Sequence, residues 1–243
     1  MEDHEAPTSP QALARIGGLL YLIIIVIGFL GEAVIRGRLV VAGDAAATAE
    51  RIRASEFLWR IGIADELVLL ICATSLLLII YVLLRPVSRE LALLAVFFNL
   101  VAIAVEAASA LNLVATLFPL ANADYLKVLD PKQLHALVYL PIRAWDYGFS
   151  VSLIFFACFC LVVGYLIFKS GYLPKTIGVL MQIAGLSYLV NSFALILSPP
   201  LANRLFPAIL LPALIGEGAL CLWLLFKGVN IARWEARTNA QSS

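Results

Sequence analysis

Charge is the scarcest property of this chain. Only 14% of its 243 residues are charged and 63% are hydrophobic, whereas an ordinary soluble domain carries about a quarter charged residues. That balance excludes a soluble globular domain and indicates a multi-pass membrane protein. The few charges nearly cancel, leaving a net +1, so there is no basic face or tail for a nucleic-acid partner. Histidine is almost missing: His4, in the N-terminal tail, and His135 are the only ones, which excludes a zinc site built from His and Cys. Cysteine is sparse as well. Cys72, Cys158, Cys160 and Cys221 all fall inside apolar runs, where a free thiol packs as a small hydrophobe. No glycine-rich loop carries the lysine that cradles phosphates. Neither a cofactor nor a metal is expected. The start of the chain, residues 1–11, lacks the basic region of a cleaved signal peptide, so the first apolar run reads as an uncleaved anchor and first span.

What the chain has in quantity is apolar length. A span needs roughly 20 mostly apolar residues, and six segments meet that need: 16–34, 57–84, 91–118, 143–168, 173–197 and 205–226. Each must be a helix, because an isolated strand cannot satisfy its backbone in lipid. The expected fold is an all-α polytopic membrane helical bundle of six transmembrane helices, with interfacial helical segments in the outer loops. One domain, 15–228, lies between a polar N-terminal tail, 1–14, and a polar C-terminal tail, 229–243. The amphipathic stretch 45–54 reads as a helix on the membrane surface, and 134–142, ending at Pro141, as loop or as a short interfacial or re-entrant helix. Two connections, Arg85 to Arg89 and Lys169 to Lys175, are tight and basic at each end. Positive charge on short loops marks the cytoplasmic side, so both termini are expected there, in a bacterial plasma membrane.

Against this apolar background a few polar side chains stand out. Glu32, Asp65, Glu66, Glu106, Asp146 and Glu217 lie in or at the edge of the spans. An ionisable group at mid-membrane costs about 2.5–3.5 kcal/mol on insertion scales and therefore faces a partner, a cavity or a pathway. Glu106 and Glu217 sit nearest mid-depth and are the first candidates; Asp65, Glu66 and Asp146 form an outer ring, and Glu32 is interfacial. Asp65 and Glu66 point about 100° apart, so at most one faces a given neighbour directly. Asn99, Glu106 and Ser109 make a stripe on the third span. Arg143, Asp146, Tyr147 and Ser150 fall at i, i+3, i+4 and i+7 on the fourth. Tyr188 and Asn191 interleave with Gly178 and Gly185 on the fifth, where small residues permit close helix approach. Pro212 is expected to kink the sixth span beside Glu217. Arg60 and Arg143 are the cations available to pair with the acids.

From Arg15 onward the chain resembles an uncharacterised family of bacterial multi-pass membrane proteins, domain of unknown function four-three-eight-six. The resemblance rests on Ala14-Arg15-Ile16-Gly17-Gly18-Leu19-Leu20-Tyr21, on the loop from Arg38 to Ala49, and on Trp145-Asp146-Tyr147-Gly148-Phe149, through Ile154-Phe155-Phe156, to Gly164-Tyr165-Leu166-Ile167-Phe168-Lys169-Ser170-Gly171-Tyr172-Leu173-Pro174. It implies a bacterial plasma-membrane protein and draws attention to Asp44 and Asp146. It transfers no activity.

Three functions fit these residues. The first is binding or transport of a small amphiphile or cation in an acid-lined cavity in the outer half of the bundle, with protonation of Glu106 or Glu217 coupled to occupancy. The second is an intramembrane enzyme acting on a lipid or isoprenoid, with a carboxylic acid as general acid or base and Trp145, Tyr147 or Tyr188 lining its pocket. The third is a non-catalytic accessory or sensor protein that presents its outer loops. The partners expected in every case are the lipid bilayer and, for the first two, a small amphiphilic or lipid ligand.

Overall fold

Lipid leaves backbone groups no water to bond, so the chain satisfies them within helices. The computed structural model describes residues 9–121 and 123–242, and among these it holds helix and no strand. The polar start of the chain, with His4, lies outside the described residues. The helices are α1 (Pro10–Leu39), α2 (Ala45–Ala54), α3 (Glu56–Leu84), α4 (Arg89–Ala115), α5 (Pro131–Ser170), α6 (Lys175–Leu197), α7 (Pro199–Leu205), α8 (Leu211–Phe226) and α9 (Ile231–Ser242). Six of them are long and apolar enough to cross a membrane: α1, α3, α4, α5, α6, and α8 with the 3-10 turn Ala208–Leu210 that leads into it. The protein is an all-α, multi-pass membrane bundle.

The spans close into a ring. α1 packs on α3 and α8, α3 on α4, α4 on α5, α5 on α6, and α6 on α8. At one end, the loop end, lie the two tight basic turns, the start of α1 and α9. There Gln11 Nε2 donates to the Lys227 carbonyl at 2.9 Å, and α9 docks through Trp234, whose Nε1 reaches the Leu83 carbonyl at 3.1 Å. At the other end, the cap end, sit α2, the 3-10 turn Asp124–Val128 and α7.

Each end has its own apolar core. The loop-end core gathers Tyr21, Leu77, Ile80, Leu83, Val163, Leu166, Met181, Leu220 and Leu224. The cap core gathers Ile35, Leu39, Ala49, Ile52, Trp59, Leu113, Val138, Ile142 and Trp145. Trp59 Nε1 donates to Thr116 Oγ1 at 2.8 Å within the cap core, which satisfies a donor that burial would otherwise strand. The polar side chains lie between the two cores.

Several boundaries differ from the sequence expectation, each for a physical reason. α1 runs past residue 34 to Leu39 because its segment Leu30–Arg36 winds in π register, which turns Arg36 back onto the bundle. α5 starts at Pro131, not at 143, and passes through Pro141 without a break. Asp130 and Gln133 form a reciprocal capping box, and Pro131 occupies the first turn, where its missing N–H costs nothing. With 40 residues α5 extends about 60 Å, twice the hydrocarbon thickness, so its first turns stand clear of the apolar layer and pair with α2. The sixth span begins at 208, not 205, because α7 ends before Pro207. Pro212 falls in the first turn of α8, so it starts that helix instead of kinking it.

Candidate functional site

Between the two cores the ring encloses a recess of about 520 Å³, inside the usual range of small-molecule sites. Its wall is apolar, formed by residues such as Ile24, Ala73, Ala102, Leu153, Phe156 and Leu214. Five polar side chains interrupt it: Asn99, Glu106, Tyr21, Tyr188 and Glu217. Among the described residues no Lys, Arg or His lines it.

The mid-depth acids sit on opposite walls. Glu217, from α8, accepts hydrogen bonds at both oxygens. Tyr21 Oη donates to Oε2 at 2.9 Å, and Tyr188 Oη makes a short bond to Oε1. Gly216 lets α8 lie so close to α6 that a Cβ there would stand 2.7 Å from the Leu180 carbonyl oxygen, which fixes the height of Glu217. Glu106, from α4, accepts from Ser152 Oγ at 3.2 Å and lies beside the Glu66 carboxyl.

Asn99 is 6% exposed. Its amide lines the recess and makes no hydrogen bond within the protein. An amide that faces the recess with no protein partner is open to a ligand group.

Behind Glu106 lies a knot of charge centred on Arg36. Its Nε bonds Glu32 Oε2 at 2.7 Å and its Nη1 stands 3.5 Å from Glu66 Oε2. The guanidinium rests over the Trp145 ring, 4.2 Å from its centroid, a favourable cation–π geometry. Asp65 packs against Gly31 close by, but of the two neighbours only Glu66 lies within ion-pair distance of Arg36. One oxygen of each, Asp65 Oδ1 and Glu66 Oε1, is buried without a hydrogen bond.

The remaining candidates lie elsewhere. Asp146 accepts from Arg143 Nη1 at 2.7 Å near the knot, but Arg143 itself is exposed. Tyr147 is 38% exposed beneath the Arg143 guanidinium, away from the recess. Asn191 is half-buried on α6 and does not line the recess. Arg60 bonds Glu56 at 2.8 Å on the surface and does not reach the acids. Trp145 lies in the cap core and stacks on Phe149, so it holds Arg36 and lines no pocket. Among the described residues no group of three His, Cys, Asp or Glu side chains is arranged to hold a metal ion.

Sequence reasoning missed Arg36, Tyr21 and Ser152, and it placed Asn99 only in the polar stripe of the third span. For Arg36 a signal existed: Glu32 lies four residues before it, the spacing of a helical ion pair.

A family model described as "Domain of unknown function (DUF4386)" matches residues 16–228, which include every span and every acid of the site. The chain belongs to this family. An uncharacterised protein of Archaeoglobus fulgidus is 26% identical over 153 residues, 63% of this chain and 75% of that relative. No solved structure matches the chain. The membrane architecture rests on the six apolar helices, and the chemistry on the side chains just described.

Proposed function

We propose that this DUF4386 protein binds a small amphiphile in the recess between its two cores and moves it within or across the membrane. One observation carries this reading: an apolar recess of ligand size into which Glu106, Glu217 and an unpartnered Asn99 converge from different helices. The apolar wall suits a hydrocarbon body, and the few polar groups suit one head. With both termini cytoplasmic, the cap and the Arg36 knot face outward. The polar series Glu32, Arg36, Glu66, Glu106 then runs from that surface to the recess, and loading couples to protonation of the carboxyls.

Native mass spectrometry of the purified protein tests the proposal. A small molecule should co-purify at near one-to-one occupancy and be lost in Glu106→Gln and Glu217→Gln. Protein that carries no small molecule, and that retains cellular function in both variants, would end this reading.

A second reading is supported by the Tyr21–Glu217–Tyr188 arrangement. A carboxyl bracketed by phenols at the edge of apolar space is also equipped for general acid or base chemistry on a lipid or isoprenoid. Its mark would be a change in mass of a lipid-extract component on incubation with the wild type and none with Glu217→Gln.

A further inference from the structure

The recess opens sideways. α1 and α8 are in tight contact toward the loop end, where a Cβ on Gly18 would meet the Leu225 backbone and Cys221 Sγ lies 3.5 Å from the Gly18 carbonyl oxygen. Toward the cap the two helices part. α8 begins only at Leu211, so its first turn leaves a gap beside the last α-helical turn of α1. Phe29, Leu211 and Leu214 line the recess and are nonetheless 65%, 56% and 59% exposed. A second hollow of about 520 Å³ shares Gly28, Phe29, Leu210 and Leu214 with the recess and continues to Val26, Leu30 and Glu32 on the outside of α1. The opening is therefore an apolar slot at bilayer depth, not an aqueous mouth.

The head-group end has a definite charge character. Carboxyls occupy two walls, phenols support one of them, and no cationic side chain lines the space. Nearby, Arg36 is already engaged by Glu32 and Glu66, and Arg143 by Asp146, which leaves Glu106 and Glu217 without a cation. A phosphate or carboxylate head would meet only like charge and unaided desolvation. An ammonium would meet two acceptors and could also donate to the Asn99 amide oxygen.

We infer that the natural ligand is a cationic amphiphile, a hydrocarbon chain ending in a protonated amine, that enters from the bilayer through the slot between α1 and α8 and seats its head between Glu106 and Glu217. The inference rests on the reading of the recess as a binding site, and the experiment separates the two. The full chain is placed in phosphatidylcholine nanodiscs and titrated with dodecylamine, dodecanol or dodecanoate, with adducts counted by native mass spectrometry.

Dodecylamine should saturate at one per chain, and dodecanoate should not saturate. Loss of a charged hydrogen bond is worth about tenfold or more, so Glu106→Gln and Glu217→Gln should each weaken the amine by at least that factor while leaving dodecanol unchanged. Each variant carries the test alone should the other fail to fold. For the route, Gly28→Trp fills the slot where a Cβ meets only the end of Leu69; it should slow amine uptake, and Leu78→Ala, on an exposed face of α3 away from both hollows, should not. Equal saturation by all three compounds overturns the cationic class but leaves the recess as a site. Saturation by none of them, together with no co-purifying molecule, overturns the site itself. Uptake unaltered in Gly28→Trp overturns sideways entry.

Discussion

Arg36 shows how one residue can organise a polar layer inside an apolar chain. Its side chain is 11% exposed and that of Glu66 is 5% exposed, so each depends on the other for its charge. Removing one partner of a buried pair leaves the other uncompensated and costs about 3–5 kcal/mol, whereas replacing both by apolar or neutral groups is often close to neutral. Arg36→Met should therefore lower thermal stability in detergent by that order, and Arg36→Met combined with Glu66→Gln should recover most of it. Buried Cys160 and Cys221 supply the assay, because a maleimide dye reaches them only on unfolding. Tyr172, in the turn between α5 and α6, makes a smaller case. It is 4% exposed and its hydroxyl donates to the Leu83 carbonyl at 2.7 Å. Burial pushes this hydroxyl well above the ordinary tyrosine range. The raised value means the neutral form is favoured in the folded state, so its contribution is complete below about pH 10, the unfolded value, and fades as pH rises further. Tyr172→Phe should cost about 1 kcal/mol at neutral pH, and its melting curve should lose part of the alkaline fall that the wild type shows.

Among the elements, the α5–α6 pair is the most intimate contact in the ring. Gly164 and Gly178 face each other so closely that a Cβ on either would stand 2.6 Å from the carbonyl oxygen of the other. Small residues at such crossings let backbones approach where lipid offers no hydrophobic drive. Gly164→Ala should destabilise the protein by about 1–3 kcal/mol in the same thiol assay, while Gly218→Ala, whose Cβ would meet nothing within 4 Å, should be neutral or slightly stabilising. Such crossings were partly legible beforehand: Gly178 and Gly185 stand among polar residues on one face, a pattern that announces close packing. The spans were legible too, since a lipid-facing helix needs only apolar length. Their ends were not. Charge at Arg36 reads as the end of a span because Glu66 and Trp145, which hold it against the bundle, are on other helices. Pro141 reads as a stop because the support that carries α5 through it comes from α2. The same logic governs the site. Glu106 and Glu217 stood out as acids in apolar runs, whereas Tyr21 and Asn99 are types that often serve as anchors or glue, and only the fold brings them to the same recess.

At the scale of the whole molecule, two apolar cores with a polar layer between them divide the labour of the fold. The loop-end core binds all six spans and α9, and the cap core binds α2 to the protruding start of α5. The recess forms where neither core fills the ring, and its slot exists because α8 is too short to close against α1. This division makes the orientation in the membrane consequential. The short loops at the loop end carry Arg85, Arg89, Lys169 and Lys175, and positive charge on short loops predicts that this end is cytoplasmic. The cap end would then face outward, with Glu32 and Arg36 nearest the external medium. Single cysteines read this directly, because the native thiols lie within spans. Val128→Cys, at a cap position that is 84% exposed, should react with a membrane-impermeant maleimide in intact cells. Arg85→Cys, exposed at the loop end, should react only after lysis. The opposite pattern would turn the bundle over and put the Arg36 knot on the cytoplasmic side.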